Sequence, residues 1–545
     1  MSDKPVSSAE FLPKLVSTLR EGYGLADLRA DALAGLTVAI VALPLSMAIA
    51  IACGLGPERG LFSAIVGGFL VSALGGSRHQ IGGPAGAFIV LVAACVAEIG
   101  VDGMILATLM SGVMLVIAGG LRLGAYIRFI PYPVTVAFSA GIGLIIFLSQ
   151  VHDLLGLTLT GAEPAAALPK LSALWTARGT WQAESMMVSF GTVALITGLK
   201  AWRPRWPSFL IAVALVTGVA QAAGLDVPTV QQRFGGLPHM LPVPVLPVVS
   251  TDLLWQALPF GFGFALLGAI TALLSASVAD GLAQRQHRST AELVAQGVAN
   301  IAVAGFGGVP ATGAVARTVT NVRAGSRGPV SGMLHAVFIL IFLMVAAPLM
   351  GLVPVPVFAG LLAVVAWNMV DLAAIRMLIR SSRADAIVVA VTFLLVVFQD
   401  LIEGIVVGFA LGGLVFIKRM SDVAAVEREP RMADEDEAGD VLIYRLSGPY
   451  FFGAVAQLGQ ALDTIADHPR ALVVDFGDVP FIDSTGAQSF AMLARKTAQR
   501  GGMLYLTATR PEVARSLTMA RVEGAGVVFL PDLAAVTAHR LSAIR

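Results

Sequence analysis

Charge is what this 545-residue chain has little of: Asp, Glu, Lys and Arg together make up 13% of it, about half their usual share in a soluble domain. Residues 30 to 420 carry too few polar side chains to cover a surface in water, which excludes a soluble globular domain there. Charge of one sign is also missing, since 36 basic residues face 35 acidic ones, and nothing in that balance points to nucleic acid. The two cysteines, Cys53 and Cys95, lie in apolar segments, an arrangement that argues against a disulfide framework. No His/Cys cluster has metal-ligand spacing and no nucleophile stands with a base, so neither a metal, a cofactor nor enzyme chemistry is expected. A cleavable signal pattern is absent from the N-terminus.

Apolar residues are abundant instead, at 57% of the chain with a mean hydropathy of +0.82. This composition predicts a polytopic α-helical membrane protein. Apolar runs and their breaks predict fourteen spans, near residues 29 to 53, 57 to 75, 84 to 98, 103 to 121, 127 to 149, 184 to 201, 207 to 224, 255 to 282, 290 to 306, 311 to 324, 330 to 351, 355 to 372, 385 to 400 and 402 to 417. Before them, residues 1 to 28 form an N-terminal segment in which Phe11, Leu12, Leu15 and Leu19 recur at helical spacing. That segment is either a short amphipathic surface helix or an unstructured tail.

Loop charges give the orientation. With the N-terminus cytoplasmic, inside loops carry Arg78, Arg122, Arg128, Lys200, Arg203, Arg205, Arg285, Arg288, Arg323, Arg327, Arg376, Arg380, Arg383, Lys418 and Arg419, whereas outside loops carry Arg59, Lys170, Arg178 and Arg233. An asymmetry of fifteen to four places both termini in the cytoplasm of a cell whose inner (plasma) membrane holds the protein.

Two of the shorter spans, the third and the tenth, open on helix breakers: Gly82-Gly83-Pro84-Ala85-Gly86-Ala87 and Gly307-Gly308-Val309-Pro310-Ala311-Thr312-Gly313-Ala314. They read as half-helices flanked by extended backbone, a pattern tolerated in a bilayer only where it faces protein, water or a ligand. They stand seven spans apart, so the two copies run in opposite directions and predict a 7+7 inverted repeat whose half-helices meet head to head. A single such motif is commonly a membrane kink; a matched pair is a stronger sign. Free amides and the positive ends of two helix dipoles make the meeting point a candidate anion site, with Ala85, Gly86, Ala87, Gly313, Ala314 and Val315 around it.

Arg317 is the one Lys or Arg that the loop count leaves inside a span, about 9 Å along the helix from Ala311 at ~1.5 Å rise per residue. A charge at that depth is costly and marks function. It either binds the anion directly or locks the scaffold by bonding carbonyls of the broken helices, and the two roles are compatible. Gly313, Thr320 and Asn321 share its face at helical spacing. Span eight supplies Gly268, Thr271 and Ser275 on one stripe, whose hydroxyls contact substrate or satisfy themselves on their own helix. Pro44 and Ser46 in span one mark a further break able to widen the cavity, and Asp280 is expected to pair with a nearby arginine.

After Arg419 the composition changes. A transporter domain of residues 29 to 421 gives way to an acidic linker, 422 to 440, and then to a small α/β domain, 441 to 545. Val441 to Leu446, Ala471 to Phe476 and Met503 to Thr507 read as strands, Ala454 to Asp467 and Thr485 to Gln499 as helices. At the second strand-to-helix turn, Asp483 or Ser484 serves as N-cap, and exposure there also makes Ser484 a candidate phosphorylation site.

Taken together, Asp31 to Ala39 leading into Ala42-Leu43-Pro44, Gly82 to Ala87, Leu293 to Asn300 and Gly313 to Thr318 resemble the SulP anion transporters, relatives of solute carrier family 26. The segment around Asp483-Ser484-Thr485-Gly486 is similar to their STAS domain. The resemblance implies a homodimer in the lipid bilayer, each subunit divided into a core (spans one to four and eight to eleven) and a gate that move as an elevator. It implies an anionic small-molecule substrate between half-helices three and ten, near Ala85, Gly86, Gly313, Ala314 and Arg317, and a cytoplasmic partner for the STAS domain. Ser484 matches a serine that is phosphorylated in related antagonists.

One departure limits the transfer. Many bacterial members carry a carboxylate in span eight where Thr271 stands, and sodium-using bicarbonate carriers have hydroxyls where this chain has Ala85 and Val315. A hard cation needs several oxygen ligands, so exchange or uniport is expected rather than sodium coupling. Sulfate-like anions are favoured, with bicarbonate, chloride and dicarboxylates as alternatives. A nucleobase carrier of like architecture lacks its acidic residues here, and a membrane-anchored STAS regulator with vestigial transport stands as the third class.

Overall fold

The computed structural model describes residues 10–127, 131–161, 163–164, 166–204, 206–245, 247, 249–399, 401–423, 425–428, 441–452, 471–524 and 526–543. The chain forms two compact units, Met1–Phe409 and Ala410–Arg545.

In the first unit, α1 (Lys14–Arg20) and α2 (Leu25–Ala52) precede α3 (Pro57–Phe62) and α4 (Gly68–Leu74), which a π-helical turn at Ser63–Gly67 joins. Strand β1 (Gly82–Pro84), a 3-10 turn at Gly86–Phe88 and α5 (Ile89–Gly120) follow. Then come α6 (Gly124–Ile127), α7 (Tyr132–Leu155), α8 (Ala167–Thr176), α9 (Ala183–Trp202), α10 (Ser208–Ala222) and α11 (Val230–Phe234). The later elements are α12 (Thr251–Ala283), α13 (Ser289–Gly305), β2 (Ala311–Gly313), α14 (Val315–Arg323), α15 (Val330–Gly351), α16 (Val355–Met369), α17 (Leu372–Ser381), α18 (Arg383–Phe398) and α19 (Leu401–Val423), the last of which contains the division between units. Each expected span overlaps a helix. Eight helical stretches among the described residues are individually long and apolar enough to cross a membrane.

The differences from expectation lie at the breaks. Spans three and four are one helical element, α5, interrupted at Gly100, whose φ of 72° and ψ of −175° leave the helical region. Residues 311 to 314, expected to begin a helix, are extended, and α14 starts at Val315. The expected break at Pro44 does not occur: α2 runs through it. Span five starts later than expected, at Tyr132, where Pro131 is the cap and a proline occupies the first turn, a position that tolerates the missing N–H. Within the N-terminal segment, Lys14–Arg20 is a short helix that packs on the rest of the unit. Lys14 N donates to Gly75 O at 2.9 Å, and Arg288 Nη1 donates to Leu12 O at 2.7 Å.

Small residues set the helix spacing, as expected where apolar side chains gain little by leaving lipid. At the crossing of α5 and α13, a Cβ on Gly297 would lie 2.5 Å from Gly112 O, and one on Gly112 would lie 2.7 Å from Gly297 O. The two backbones touch.

The second unit holds a five-stranded sheet in the order β3–β4–β5–β6–β7. Its strands are β3 (Ala425–Arg428), β4 (Val441–Ser447), β5 (Ala471–Asp478), β6 (Met503–Thr507) and β7 (Val527–Leu530), with α20 (Ser484–Gln499), α21 (Pro511–Met519) and α22 (Leu533–Ala543). β3 pairs antiparallel with β4, and the other neighbours are parallel. Within the stretch read as linker, Asp422 still belongs to α19 and Ala425–Arg428 forms the edge strand. The helix expected at Ala454 to Asp467 lies outside the described residues. Asp483 is the N-cap of α20, accepting from Gly486 N at 2.7 Å, which leaves Ser484 exposed in the first turn.

Valine at Gly297 forces α5 and α13 apart and is expected to destabilise the protein by about 1–3 kcal/mol, the cost of overpacking. Valine at Gly191, where a Cβ meets nothing within 4 Å, serves as the control. Thermal unfolding in detergent should lower the melting temperature of the first variant and leave the second near wild type.

Candidate anion site

The two Gly/Pro segments find each other. β1 and β2 pair antiparallel in the register Gly82↔Gly313, Gly83↔Thr312 and Pro84↔Ala311. The pairing gives partners to backbone groups that a bilayer cannot solvate. Because the pairing is antiparallel, the chain leaves β1 toward α5 at one end and leaves β2 toward α14 at the other. The two helix starts therefore face each other across three residue pairs, about 10 Å at ~3.4 Å per residue. Neither the 3-10 turn nor α14 has a side-chain cap. Two uncapped N-termini, each with a positive dipole end, converge on one place.

Side chains of neighbouring helices hold this ribbon. Asn300 on α13 clamps Ala311, accepting from its N–H at 2.8 Å and donating to its carbonyl at 3.0 Å. Thr318 Oγ1 accepts from Ile81 N at 3.1 Å, and Asn321 Nδ2 donates to His79 O at 2.9 Å. One turn below Gln296, the buried Glu292 accepts from Gly76 N at 2.9 Å and Ser77 N at 3.2 Å. Glu292, Gln296 and Asn300 recur every fourth residue on an otherwise apolar helix. That polar stripe was the available signal for a role the sequence reading did not assign.

Arg317 is 2% exposed and lies behind the ribbon. Its Nη2 donates to Ser46 Oγ and to Pro84 O, each at 3.1 Å, so the guanidinium binds scaffold, including a carbonyl of the broken segment. Nε and Nη1 have no partner among the described residues. Gly83, at φ 143°, lets the arginine approach: a Cβ there would stand 2.5 Å from Nη1. The α2 helix contributes Ser46, which also donates to Ala42 O at 2.7 Å; Pro44 thus precedes a bonded turn and opens no gap.

The hydroxyls of α12 are engaged as well. Thr271 Oγ1 is 2.7 Å from Leu267 O and 2.8 Å from Thr312 Oγ1, and Thr312 Oγ1 donates to Gly268 O at 3.0 Å. One turn on, Ser275 Oγ lies 2.9 Å from Thr318 Oγ1. Ala85, Gly86 and Ala87 at the first helix start, Ala314 and Val315 at the second, and Thr271 on α12 are half-buried. Gly313, Ser275 and Arg317 are buried. Gly313 does not share a helical face with Arg317, because it belongs to β2, where a Cβ would collide with Gln80 Nε2. Among the described residues Asp280 pairs with His287 and not with an arginine: its Oδ2 is 2.6 Å from Nδ1. The left-handed Gln284 that ends α12 turns the chain back to make that contact.

A sequence profile described as the sulfate permease family matches residues 28–392, and one described as the STAS domain matches residues 433–529. A putative sulfate transporter of Bacillus subtilis (strain 168), YvdB, is 36% identical over 493 residues, covering 89% of this chain and 92% of that protein. The bicarbonate transporter BicA of Picosynechococcus sp. is 29% identical over 520 residues, 90% of each chain. Murine solute carrier 26 family member A9, an anion transporter solved in the inward-facing state, has a TM-score of 0.84 at 19% identity, over 99% of this chain and 96% of that one. At that identity the likeness concerns the fold.

Asn300→Ala leaves the N–H and carbonyl of Ala311 without their side-chain partner, at about 1–3 kcal/mol for each group left unpaired. The variant is expected to unfold at lower temperature and to bind anions more weakly, as followed by thermal shift with and without sulfate.

Proposed function

This chain belongs to the sulfate permease family, and we propose that it is a secondary transporter of small inorganic anions, with sulfate favoured, working by elevator-type alternating access. The observation that carries the reading is the pair of uncapped helix N-termini facing each other across the β1–β2 ribbon, with the Arg317 charge behind them. Two dipole ends and a guanidinium give the site a positive potential that selects an anion. In this reading Ala85, Gly86, Ala87, Ala314, Val315 and Thr271 contact the substrate. Gly313, Ser275 and Arg317 fix the shape and the field of the site.

Bicarbonate is the second reading, favoured by the 29% identity to a bicarbonate transporter. In either case we propose exchange or uniport rather than sodium coupling. The Thr271 hydroxyl is spent on Leu267 O and Thr312, and no carboxylate bonds to it among the described residues, a poor ligand set for a hard cation. The same reading makes the protein a homodimer of the inner membrane with both termini cytoplasmic. Residues 1 to 28 and 422 to 440 would flank the transporter domain, and the STAS domain would meet a cytoplasmic partner, with Ser484 as its regulatory site.

Proteoliposomes carrying the full chain are expected to take up radiolabelled sulfate saturably, at a rate that an imposed sodium gradient leaves unchanged. Uptake of bicarbonate but not sulfate selects the second reading, and steep stimulation by sodium overturns the coupling proposal. Thr271→Glu is expected to create pH dependence that the wild type lacks. Its ionised carboxylate repels the substrate, protonation removes the repulsion, and uptake therefore rises as the pH falls through the carboxyl pKa. A flat pH profile for that variant would place residue 271 away from the transported anion.

A further inference from the structure

On the face that the proposed orientation makes cytoplasmic, the described residues line an open cavity of about 450 Å³. It is bounded by the end of α1, the start of α2, the loop before β1, the end of α12 and the segment after α14. This volume lies within the range of sites for organic ligands and greatly exceeds the needs of a bare inorganic ion. It is separate from the proposed anion site, since none of the residues assigned to that site lines it.

Cations dominate its wall. Arg78, Arg285 and Arg327 line it together with Glu21 and Asp27. Asp27 is committed to Arg327, 2.9 Å away. Glu21 pairs with Arg78, whose side chain is 11% exposed and whose Nε has no partner among the described residues. Arg285 has no carboxylate partner among those residues. Glu21 is consequently held below the usual carboxylate range, first by the Arg78 hydrogen bond, with the charges of Arg285 and Lys14 adding to it. Burial, then the Arg78 and Arg285 charges, pushes the His79 imidazole down to about 4, so it stays neutral at physiological pH and adds no charge of its own. Three arginines against two carboxylates in the lining leave the cavity with an excess of positive charge. Ser326, bonded to His79 Nδ1 at 2.9 Å, adds a hydroxyl to the lining.

We propose that this cavity binds a phosphate ester, with Arg78 and Arg285 holding the phosphate and Glu21 as the side chain it displaces. Arginine suits the task because its planar fork meets phosphate oxygens in pairs. Binding exchanges the Arg78–Glu21 pair for an Arg78–phosphate pair and leaves Glu21, already half-exposed, in water. The site is wired to the centre of the fold. Arg78 precedes His79 and Ile81, which are bonded to Asn321 and Thr318 of the half-helix α14, so a ligand there loads the segment that enters β1. The phosphate comes from a soluble metabolite or from a lipid headgroup, two sources with one chemistry.

Calorimetric titration of adenosine monophosphate into the full chain, held in phosphatidylcholine nanodiscs, tests the assignment. The wild type is expected to bind, Arg285→Gln to bind at least tenfold more weakly, and Glu21→Gln to bind more tightly because the competing carboxylate is gone. A misfolded variant cannot produce that gain. Repetition in nanodiscs containing phosphatidic acid separates the sources: unchanged binding indicates a soluble ester, and displacement of the nucleotide indicates the headgroup. Absence of binding by both the wild type and Glu21→Gln, or equal affinity in all three proteins, overturns the proposal.

Discussion

The first unit depends on three pairs of residues. Gly82, Gly83 and Pro84 lie against Gly313, Thr312 and Ala311, and without that pairing two stretches of extended backbone would be left in hydrocarbon with nothing to bond. Each unsatisfied polar group there costs several kcal/mol. Pairing the segments with each other satisfies them and at the same time points two helix starts at one another. The structural solution to an energetic problem thus also brings two positive dipole ends toward each other. Asn300, Thr318 and Asn321 extend the solution outward, each bonding a backbone group of the ribbon or of the residues that enter it.

Arg317 belongs to the same device. A guanidinium buried this deeply needs partners, and it takes one from the α2 helix, Ser46 Oγ, and one from the ribbon, Pro84 O. It therefore ties the two copies of the broken motif together, because it sits on α14 and bonds the end of β1. Glycine at position 83 is the geometric condition for this contact, through both its positive φ and its missing side chain.

α12 meets the ribbon and α14 through hydroxyls, Thr271 pairing with Thr312 of β2 and Ser275 with Thr318 of α14. Hydroxyls fix distance and direction without adding a charge that titrates near neutral pH. The charge around the half-helices therefore comes from Arg317 and the helix dipoles, while the side chains of α12 that face them stay neutral. Carboxylates are kept for other tasks: Glu292 caps the loop at Gly76 and Ser77, and Asp280 holds His287.

Hydropathy and helical period are local properties, and what they govern was legible: the membrane class, the positions of the apolar helices, the paired breaks with their opposed directions, the burial of Arg317, and the strands and second helix of the α/β domain. The sequence also held the stripe of Glu292, Gln296 and Asn300, although nothing local says which backbone such a stripe will bond. Extended backbone beside the half-helices was legible, but not that it includes Ala311–Gly313, because three residues become a strand only when a partner far along the chain lies beside them. Residues 425 to 428 follow the same logic, being an edge strand only against β4. The partner of Asp280 likewise depended on the left-handed turn at Gln284. Sequence by itself determined where backbone would be left unpaired and where a positive charge would be buried. Tertiary structure alone decided which groups met there, since the burial of each polar group in a membrane is settled by whichever neighbour the packing brings within hydrogen-bond distance.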